Sequence, residues 1–231
     1  MERLRDLIDT YKDYPKKGIE FKDVLGIIQE PKVFKEIIFK MSSSQIIKNA
    51  EAIISIDARG FIFGSAISLQ ASKPMIVARK PGKLPGKLLE RNYNLEYGKN
   101  SLSIQKKALK RYNSFAIVDD LLATGGTVDC VSKIIESNNK EVVGLLVVVE
   151  LLKLEGRLKL NFPVESSIIF WKNIFLNTLL KEIELLQFIY VMYFFTNLLG
   201  FVLIKKKYWI IKLKNRLSFY PSTINLDLVI R

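Results

Sequence analysis

The stretch that decides the fold reads Phe115-Ala116-Ile117-Val118-Asp119-Asp120-Leu121-Leu122-Ala123-Thr124-Gly125-Gly126-Thr127. It begins with four apolar residues, the kind that form a strand buried on both faces. Two acidic residues follow, and a loop of small residues then leads into a helix. Because ligands bind at the carboxyl ends of strands in open parallel sheets, this junction predicts a binding site.

The small residues of the loop suit a phosphate group. Gly125 and Gly126 let main-chain N–H groups approach an anion closely, and the positive end of the following helix dipole favours negative charge. Thr124 and Thr127 offer hydroxyl donors. The loop is neither a Walker A loop, since no Gly-Lys-Ser/Thr follows, nor a dinucleotide G-x-G-x-x-G sequence.

Asp119 and Asp120 directly precede this loop. Carboxylates beside a phosphate repel it unless they face hydroxyl groups or a metal ion. They therefore suit the 2′ and 3′ hydroxyls of a ribose whose 5′-phosphate fills the loop, and that arrangement describes a phosphoribosyl group. The alternative is an acidic N-cap before the helix, which explains one aspartate and one glycine but hardly the whole run.

Apolar runs and helical stretches alternate up to about residue 170. Helices are predicted over Leu4 to Tyr11, from near Pro31 to Ile47, after Arg59 and after Gly126. The predicted strands are the short apolar runs Ala52–Ile56, Met75–Ala78, Phe115–Val118, Val142–Val149 and Ser167–Phe170. Strand, crossover helix, strand is the pattern of an α/β fold, with an open, mostly parallel sheet and helices on both faces.

Residues 79 to 103 interrupt this alternation. The segment is rich in proline, glycine and lysine and reads as a long, basic, mobile loop or a hairpin. Loops of that length inside compact domains are commonly lids over a site, so we expect a lid here. The alternative is a disordered surface insertion.

The composition of the 231 residues excludes several kinds of chemistry. There is no histidine, which excludes Ser-His-Asp and Cys-His nucleophiles, His-ligated zinc and imidazole catalysis. A single cysteine, Cys130, excludes an intrachain disulfide framework and indicates a reducing compartment. Because the first residues mix charges with apolar side chains, we expect no secretory signal and a cytoplasmic location.

Residues 171 to 231 have a different composition. They hold 9 of the 36 basic and 3 of the 23 acidic residues, 12 of the 25 aromatic residues and no alanine. Leu185 to Ile204 is a 20-residue uncharged run followed by three lysines, as in a transmembrane helix. Three interpretations stay open: translation past a lost stop codon or through a frameshift, a membrane anchor, and an added structured element.

The strand, acid pair and Thr-Gly-Gly-Thr loop resemble the phosphoribosyl pyrophosphate motif of the type I phosphoribosyltransferases. Further segments narrow the resemblance to the adenine phosphoribosyltransferases, in that family's order and spacing: Tyr14–Asp23, Asp57–Gly64, Arg79–Pro85, Asn94–Gly98, and Glu150 with Gly156-Arg157. The resemblance covers about residues 1–170, which we assign as the phosphoribosyltransferase domain, with residues 171–231 as an atypical apolar, basic tail. Two departures are Leu25-Gly26, where the family usually has Thr-Pro, and Lys87–Leu89 on the lid.

The resemblance implies an enzyme of purine salvage. It would convert adenine and phosphoribosyl pyrophosphate to AMP and pyrophosphate with Mg²⁺, as a homodimer. Ala123 to Thr127 would hold the 5′-phosphate. Asp119 and Asp120 would hold the ribose hydroxyls and help to place Mg²⁺, which bridges mostly substrate oxygens.

The resemblance also implies where the pyrophosphate and the base would bind. Arg59 would bind pyrophosphate after a cis peptide at Ala58-Arg59, with Arg79 and Lys83 adding charge, partly across the dimer interface. Adenine would stack on the ring of Phe21, and main-chain groups of Glu20 and Lys22 would hydrogen-bond its edge. Leu121 would close the other face of the base. The lid residues that would close over the reacting centre are Glu96, the candidate for handling the purine proton, and Tyr97.

Two alternative functions remain at this point. One is a non-catalytic regulator that senses purine or phosphoribosyl pyrophosphate on the same fold, and the other is a membrane-tethered variant that uses residues 185–204. The presence of Glu96-Tyr97 and the lack of a visible DNA-binding domain in the sequence favour the enzyme. We expect no nucleic-acid partner, because no basic stripe interleaved with aromatic residues is present.

Overall fold

In the computed structural model of the chain the described residues are 2–95 and 98–171. The elements of the first half, in chain order, are α1 (Glu2–Arg5), β1 (Asp9–Lys12), β2 (Glu20–Asp23), α2 (Leu25–Gln29), α3 (Pro31–Ser42), α4 (Gln45–Asn49), β3 (Ala52–Ile56), α5 (Gly60–Ala71) and β4 (Met75–Ala78). Those of the second half are β5 (Leu88–Leu95), β6 (Gly98–Gln105), α6 (Lys106–Leu109), β7 (Ser114–Leu122), α7 (Gly126–Glu136), β8 (Glu141–Leu151) and β9 (Val164–Phe170). Two 3₁₀ turns, Leu152–Leu154 and Gly156–Lys159, lie between β8 and β9.

The central sheet has five strands in the order β4-β3-β7-β8-β9. Every neighbouring pair is parallel, which confirms the predicted parallel sheet. β3 and β4 have the predicted bounds. β7 continues beyond the apolar run to Leu122, because its acidic residues still pair with the long strand β8, as Asp119 does with Val147.

Alternating residues of β7 pack into two separate cores. Ala116 and Val118 belong to the core that contains α3, α4 and α5. Phe115 and Ile117 belong to the core that contains α7 and the base of the β5–β6 hairpin. Helices therefore cover both faces of the sheet, as the sequence predicts, and the strand ends remain available at its edge.

The segment after β4 forms an antiparallel hairpin, β5–β6, which is the second of the two predicted alternatives. Its base is attached to the sheet through a bridge between Arg79 and Ser103, whose main-chain groups exchange hydrogen bonds of 3.0 and 2.7 Å. Leu102 and Ile104 of β6 are buried in the second core. The hairpin thus has a fixed base, and it begins close to the carboxyl end of β4.

The predicted N-terminal helix is largely wrong. The helix ends at Arg5, and Asp9–Lys12 instead forms a strand that pairs with β2. The turn between them contains Asp13 with φ +58° and Gly18 with φ +87°, and Asp13 Oδ1 accepts a hydrogen bond from the Gly18 N–H. This turn brings two distant segments into register, which outweighs the weak local helical pattern.

The helix predicted up to Ile47 is divided into α3 and α4. Ser44 begins α4 as its N-cap, and its Oγ accepts a hydrogen bond from the Ile46 N–H at 3.0 Å. Serine competes with helix continuation in this way because its side chain satisfies a main-chain donor. No helix among the described residues is long and apolar enough to cross a membrane, and residues 185–204 lie outside them.

Candidate active site

The predicted phosphate loop, Ala123 to Thr127, joins the end of β7 to the start of α7. Gly125 is the N-cap of α7 and has φ +78°, in the left-handed region that favours glycine. A glycine N-cap has no side-chain acceptor for the first N–H groups of the helix. An anion held beside the loop would supply such an acceptor.

The loop forms one wall of a cleft of about 450 Å³. The cleft lies at the carboxyl ends of β3 and β7, where a parallel sheet is expected to bind its ligand. One side of its lining is the end of β3 and the following turn, Ile56 to Arg59, together with Lys80 and Leu102. The other side runs from the end of β7 into the start of α7, residues 119–128. The structure therefore brings the acid pair, the loop and Arg59 around one cavity.

The two aspartates of β7 are nearly buried, Asp119 at 8% and Asp120 at 5% exposure. Asp119 Oδ1 accepts a hydrogen bond of 2.9 Å from the Asp120 N–H, and Gly60 packs so closely that a Cβ there would lie 2.8 Å from this oxygen. Asp120 Oδ2 lies 2.8 Å from Arg59 Nε in an ion pair but accepts no hydrogen bond. Because Arg59 offers this buried oxygen an ion pair but no hydrogen bond, the oxygen can still accept a hydrogen bond from a ligand hydroxyl.

Burial raises the pKa of Asp119 well above its usual range, and the neighbouring Asp120 carboxylate raises it further. Burial also raises the pKa of Asp120, although the Arg59 guanidinium opposes that shift. Two carboxylates with little water therefore repel each other in the cleft. Perturbed acids in a cleft are typical of functional sites, and a cation or hydroxyl donors bound there would favour the charged forms.

The turn after β3 carries Arg59 into the cleft. A non-proline cis peptide is present, but it joins Asp57 to Ala58, so the expected position at Ala58-Arg59 is wrong by one residue. The chain reverses at Asp57 itself, whose N–H donates to the Ala78 carbonyl and whose carboxylate accepts from Arg79 Nε at 3.0 Å. Arg59 follows as the N-cap residue of α5.

Arg59 also contacts the predicted adenine-stacking residue. Its guanidinium carbon lies 4.8 Å from the centre of the Phe21 ring, which packs edge-on against Tyr14 at 5.2 Å. Phe21 is half-buried on β2, next to the cleft rather than in its lining. Leu121, the residue predicted to close the other face of the base, does line the cleft.

The side chains of the two neighbours of Phe21 lie outside the cleft lining. Lys22 Nζ donates to Thr10 Oγ1 at 2.7 Å and lies 4.7 Å from the centre of the Phe170 ring, while Glu20 is exposed. Their side chains are thus not brought to the cleft. The predicted role of their main-chain groups stays a prediction.

Two of the predicted pyrophosphate residues lie outside the cleft lining. Arg79 pairs with Asp57 and lies over the Phe61 ring at 5.6 Å, so it stands behind the turn that carries Arg59. Lys83 is exposed on the segment before β5. Among the described residues, Arg59 is the arginine that lines the cleft.

The lid residues Glu96 and Tyr97 lie outside the described residues, so their predicted roles remain predictions. Among the charged residues that line the cleft, Asp57 and Lys80 were given no role by the sequence reasoning. Both lie within segments that carry the family resemblance, Asp57–Gly64 and Arg79–Pro85. The sequence signal that could have identified them is that each lies within two residues of a predicted site residue, Arg59 or Arg79.

The donor set of the cleft fits Mg²⁺ carried mainly by a substrate. Within residues 2–95 and 98–171, no three or more acidic, cysteine or histidine side chains are grouped to hold a metal ion by themselves. Mg²⁺ usually keeps waters and binds one or two protein carboxylates together with phosphate oxygens. Asp119 and Asp120 supply carboxylates of this kind next to the loop.

Comparison with known proteins agrees with this geometry. A family model described as the phosphoribosyl transferase domain matches residues 27–176. The fold and the cleft thus define a phosphoribosyltransferase.

Relatives narrow the assignment. The adenine phosphoribosyltransferase of Prochlorococcus marinus strain MIT 9515 is 80% identical over 168 residues, which are 73% of this chain and 98% of the relative. The crystal structure of adenine phosphoribosyltransferase from Thermoanaerobacter pseudethanolicus matches with a TM-score of 0.68 and 38% identity, over 73% of this chain and 99% of that one. The Saccharomyces cerevisiae enzyme, complexed with an imino-altritol bisphosphate and adenine, matches with a TM-score of 0.66 and 32% identity, over 72% and 97%. The chain belongs to the adenine phosphoribosyltransferases, as the sequence motifs indicated.

Proposed function

We propose that this chain transfers the 5-phosphoribosyl group of phosphoribosyl pyrophosphate to adenine, giving AMP and pyrophosphate. The observation that carries the proposal is the convergence of Asp119, Asp120, Arg59 and the loop 123–127 on one cleft. A relative with this activity in its name is 80% identical to the chain over 168 residues, which supports adenine as the base. Nothing in the described residues favours the sensor or the membrane-tethered alternative.

The substrate sugar binds with its two ends on different walls of the cleft. The 5′-phosphate occupies the loop from Ala123 to Thr127, with main-chain N–H groups and the dipole of α7 as its partners. The ribose hydroxyls face Asp119 and Asp120, and this placement is supported by Asp120 Oδ2, which is buried and accepts no hydrogen bond from the protein. The pyrophosphate then lies toward Arg59.

The base occupies the space between the β1–β2 hairpin and β7. Phe21 supplies one stacking face, and Leu121 closes the other. Main-chain groups of Glu20 and Lys22 read the edge of the purine. Glu96 and Tyr97 close over the reacting centre, and Glu96 accepts the proton that leaves the purine ring.

In the reaction the bond between ribose C1 and the pyrophosphate oxygen breaks and a bond from C1 to a purine ring nitrogen forms. The leaving oxygen keeps the electron pair, so negative charge grows on pyrophosphate while C1 becomes cation-like. Arg59 stabilises that growing charge, and Arg79 and Lys83 add to it. Closure of the lid excludes water, which would otherwise hydrolyse the activated sugar.

Three further properties belong to the same proposal. Asp119 and Asp120 help to hold Mg²⁺, which when bound neutralises charge on the substrate oxygens. The active form is a homodimer, as the resemblance to the family implies. The location is the cytoplasm, as expected from the lone cysteine.

A direct assay tests the proposal. With Mg²⁺ and phosphoribosyl pyrophosphate, the full chain should form AMP from adenine. Turnover of hypoxanthine or guanine should be lower by at least about 100-fold, because a site that hydrogen-bonds the edge of one base leaves its groups unpaired with another. EDTA should abolish the activity. Parallel assays of residues 1–170 measure what the tail contributes. Binding of phosphoribosyl pyrophosphate without AMP formation would contradict the proposal and support a sensor.

The stacking role of Phe21 has its own test. Phe21→Ala should raise the KM for adenine by about tenfold or more, because base stacking on an aromatic ring contributes about 1–3 kcal/mol. The KM for phosphoribosyl pyrophosphate should stay within about twofold, since the ring lies outside the phosphate wall. Steady-state kinetics with each substrate varied in turn measures both constants.

The matched control is Phe39→Ala, which removes a ring on α3 that is 63% exposed. It should leave both constants unchanged. An unchanged adenine KM in Phe21→Ala, or an equal rise of both constants, would remove Phe21 from the base site.

A further inference from the structure

The phosphate loop is supported from behind by the 3₁₀ turn Gly156–Lys159. Gly156 is buried against the loop. A Cβ on Gly156 would lie 2.8 Å from the Gly125 nitrogen, and a Cβ on Gly125 would lie 2.5 Å from the Gly156 carbonyl oxygen. The two main chains are therefore in direct contact, with no room for a side chain at either position.

A buried acid holds this turn in place. Glu150, 2% exposed, lies near the end of β8 and pairs in register with Leu122, the last residue of β7 before the loop. Arg157 Nε donates to Glu150 Oε1 at 2.8 Å, and Arg157 Nη2 donates to Glu150 Oε2. This two-bond pairing fixes the direction of the guanidinium as well as its position.

The same pair is anchored to the last strand of the sheet. Arg157 Nη1 donates to the Val164 carbonyl oxygen at 2.7 Å, and Ser166 Oγ donates to Glu150 Oε2 at 2.8 Å. The hydrogen bonds of Arg157 lower the pKa of Glu150 despite its burial. An ionised, fully bonded acid thus connects β8, β9 and the turn that touches the loop.

We propose that Glu150 and Arg157 are positioning residues that, through Gly156, hold the loop from Ala123 to Gly125 in its phosphate-binding conformation. Neither side chain lines the cleft, so they act on the substrate only through the main chain of the loop. The inference rests on the proposed function in one respect, that this loop binds the 5′-phosphate. It also explains why Gly156 and Arg157 are adjacent, because Arg157 anchors the turn and Gly156 is the residue of the turn that contacts the loop.

Two variants test the inference. Arg157→Lys keeps the charge but cannot make the two-bond contact with Glu150 together with the bond to Val164. Gly156→Ala leaves the ion pair intact and pushes the turn against the loop. Both should weaken the binding of ribose 5-phosphate, measured by calorimetry, by about 10- to 100-fold, because a displacement of about 1 Å is enough to misplace binding groups.

Kinetics separates positioning from a general loss of stability. Both variants should raise the KM for phosphoribosyl pyrophosphate by a similar factor and leave the KM for adenine within about twofold. Lys159→Ala, an exposed residue of the same turn, is the matched control and should behave like the unmodified chain. A lower melting temperature with both KM values and the ribose 5-phosphate affinity unchanged would overturn the inference, and would assign the pair to folding alone.

The measurement of ribose 5-phosphate binding also separates this inference from the proposed function. If the unmodified chain binds ribose 5-phosphate but forms no AMP, the proposed function fails while the calorimetric comparison still decides the inference. If the unmodified chain does not bind ribose 5-phosphate, the inference fails as well. If Gly156→Ala does not fold, normal affinity in Arg157→Lys is sufficient to overturn it.

Discussion

Replacing Asp119 and Asp120 together by asparagine should lower kcat/KM for phosphoribosyl pyrophosphate by about 10²- to 10⁴-fold. Hydrogen bonds to charged groups contribute about 1.5–3 kcal/mol each, and both ribose hydroxyls lose a charged acceptor in this variant. Asparagine keeps the size of the side chain, so the cleft keeps its shape. Steady-state kinetics at saturating adenine and Mg²⁺ measures the effect.

Asp129→Asn is the matched control for this pair. Asp129 lies in the first turn of α7, close to the loop, but its carboxylate pairs with Lys133 at 2.6 Å. Its replacement should leave turnover unchanged. Normal turnover in the double variant would remove the two aspartates from the site and, with them, the placement of the ribose.

The same double variant should be at least as stable as the unmodified chain at neutral pH. Burial raises the pKa of both acids, so each charged form is disfavoured in the folded state. A group with a raised folded pKa contributes stability at low pH and loses it as pH rises through that pKa. Asparagine does not titrate, so the difference in melting temperature should grow as pH rises from about 4 to 7, by calorimetry without ligands.

The parts of the site that could be predicted from the sequence are those whose residues follow each other along the chain. The acid pair, the glycines and the helix start follow each other within residues 115–127, and a buried strand followed by small residues has few other conformations. The bounds of β3 and β4 were predicted for the same reason, since each is a short apolar run between polar residues. The wall of the cleft that is built from consecutive residues was therefore predictable.

The errors arose where distant residues decide the conformation. The strand β1 exists only because β2 lies beside it, and its four residues are all exposed, so no alternation of apolar residues marks it. Asp57, the first residue of the cis peptide, contacts Ala78 and Arg79, about twenty residues away. Lys80 reaches the cleft because β4 ends beside β3, which no local pattern shows.

Arg59 carries the second large effect. Arg59→Lys should lower kcat/KM for phosphoribosyl pyrophosphate by about 10²- to 10³-fold, the range found when one preorganised donor to a developing charge is removed. Lysine keeps the positive charge but lacks the planar fork that binds phosphate oxygens in pairs. A reduced kcat, measured with both substrates saturating, would assign the loss to the departing pyrophosphate rather than to substrate binding.

Arg111→Lys provides the control, because its guanidinium also lies over a ring, that of Tyr112 at 6.0 Å, on a segment outside the cleft lining. It should keep full activity. In Arg59→Lys the adenine KM serves as an internal check, since Arg59 lies 4.8 Å from the Phe21 ring where the base is proposed to stack. Normal kcat with a raised adenine KM would contradict the pyrophosphate role and place Arg59 at the base instead, because the only substrate affected would then be the one that stacks on Phe21.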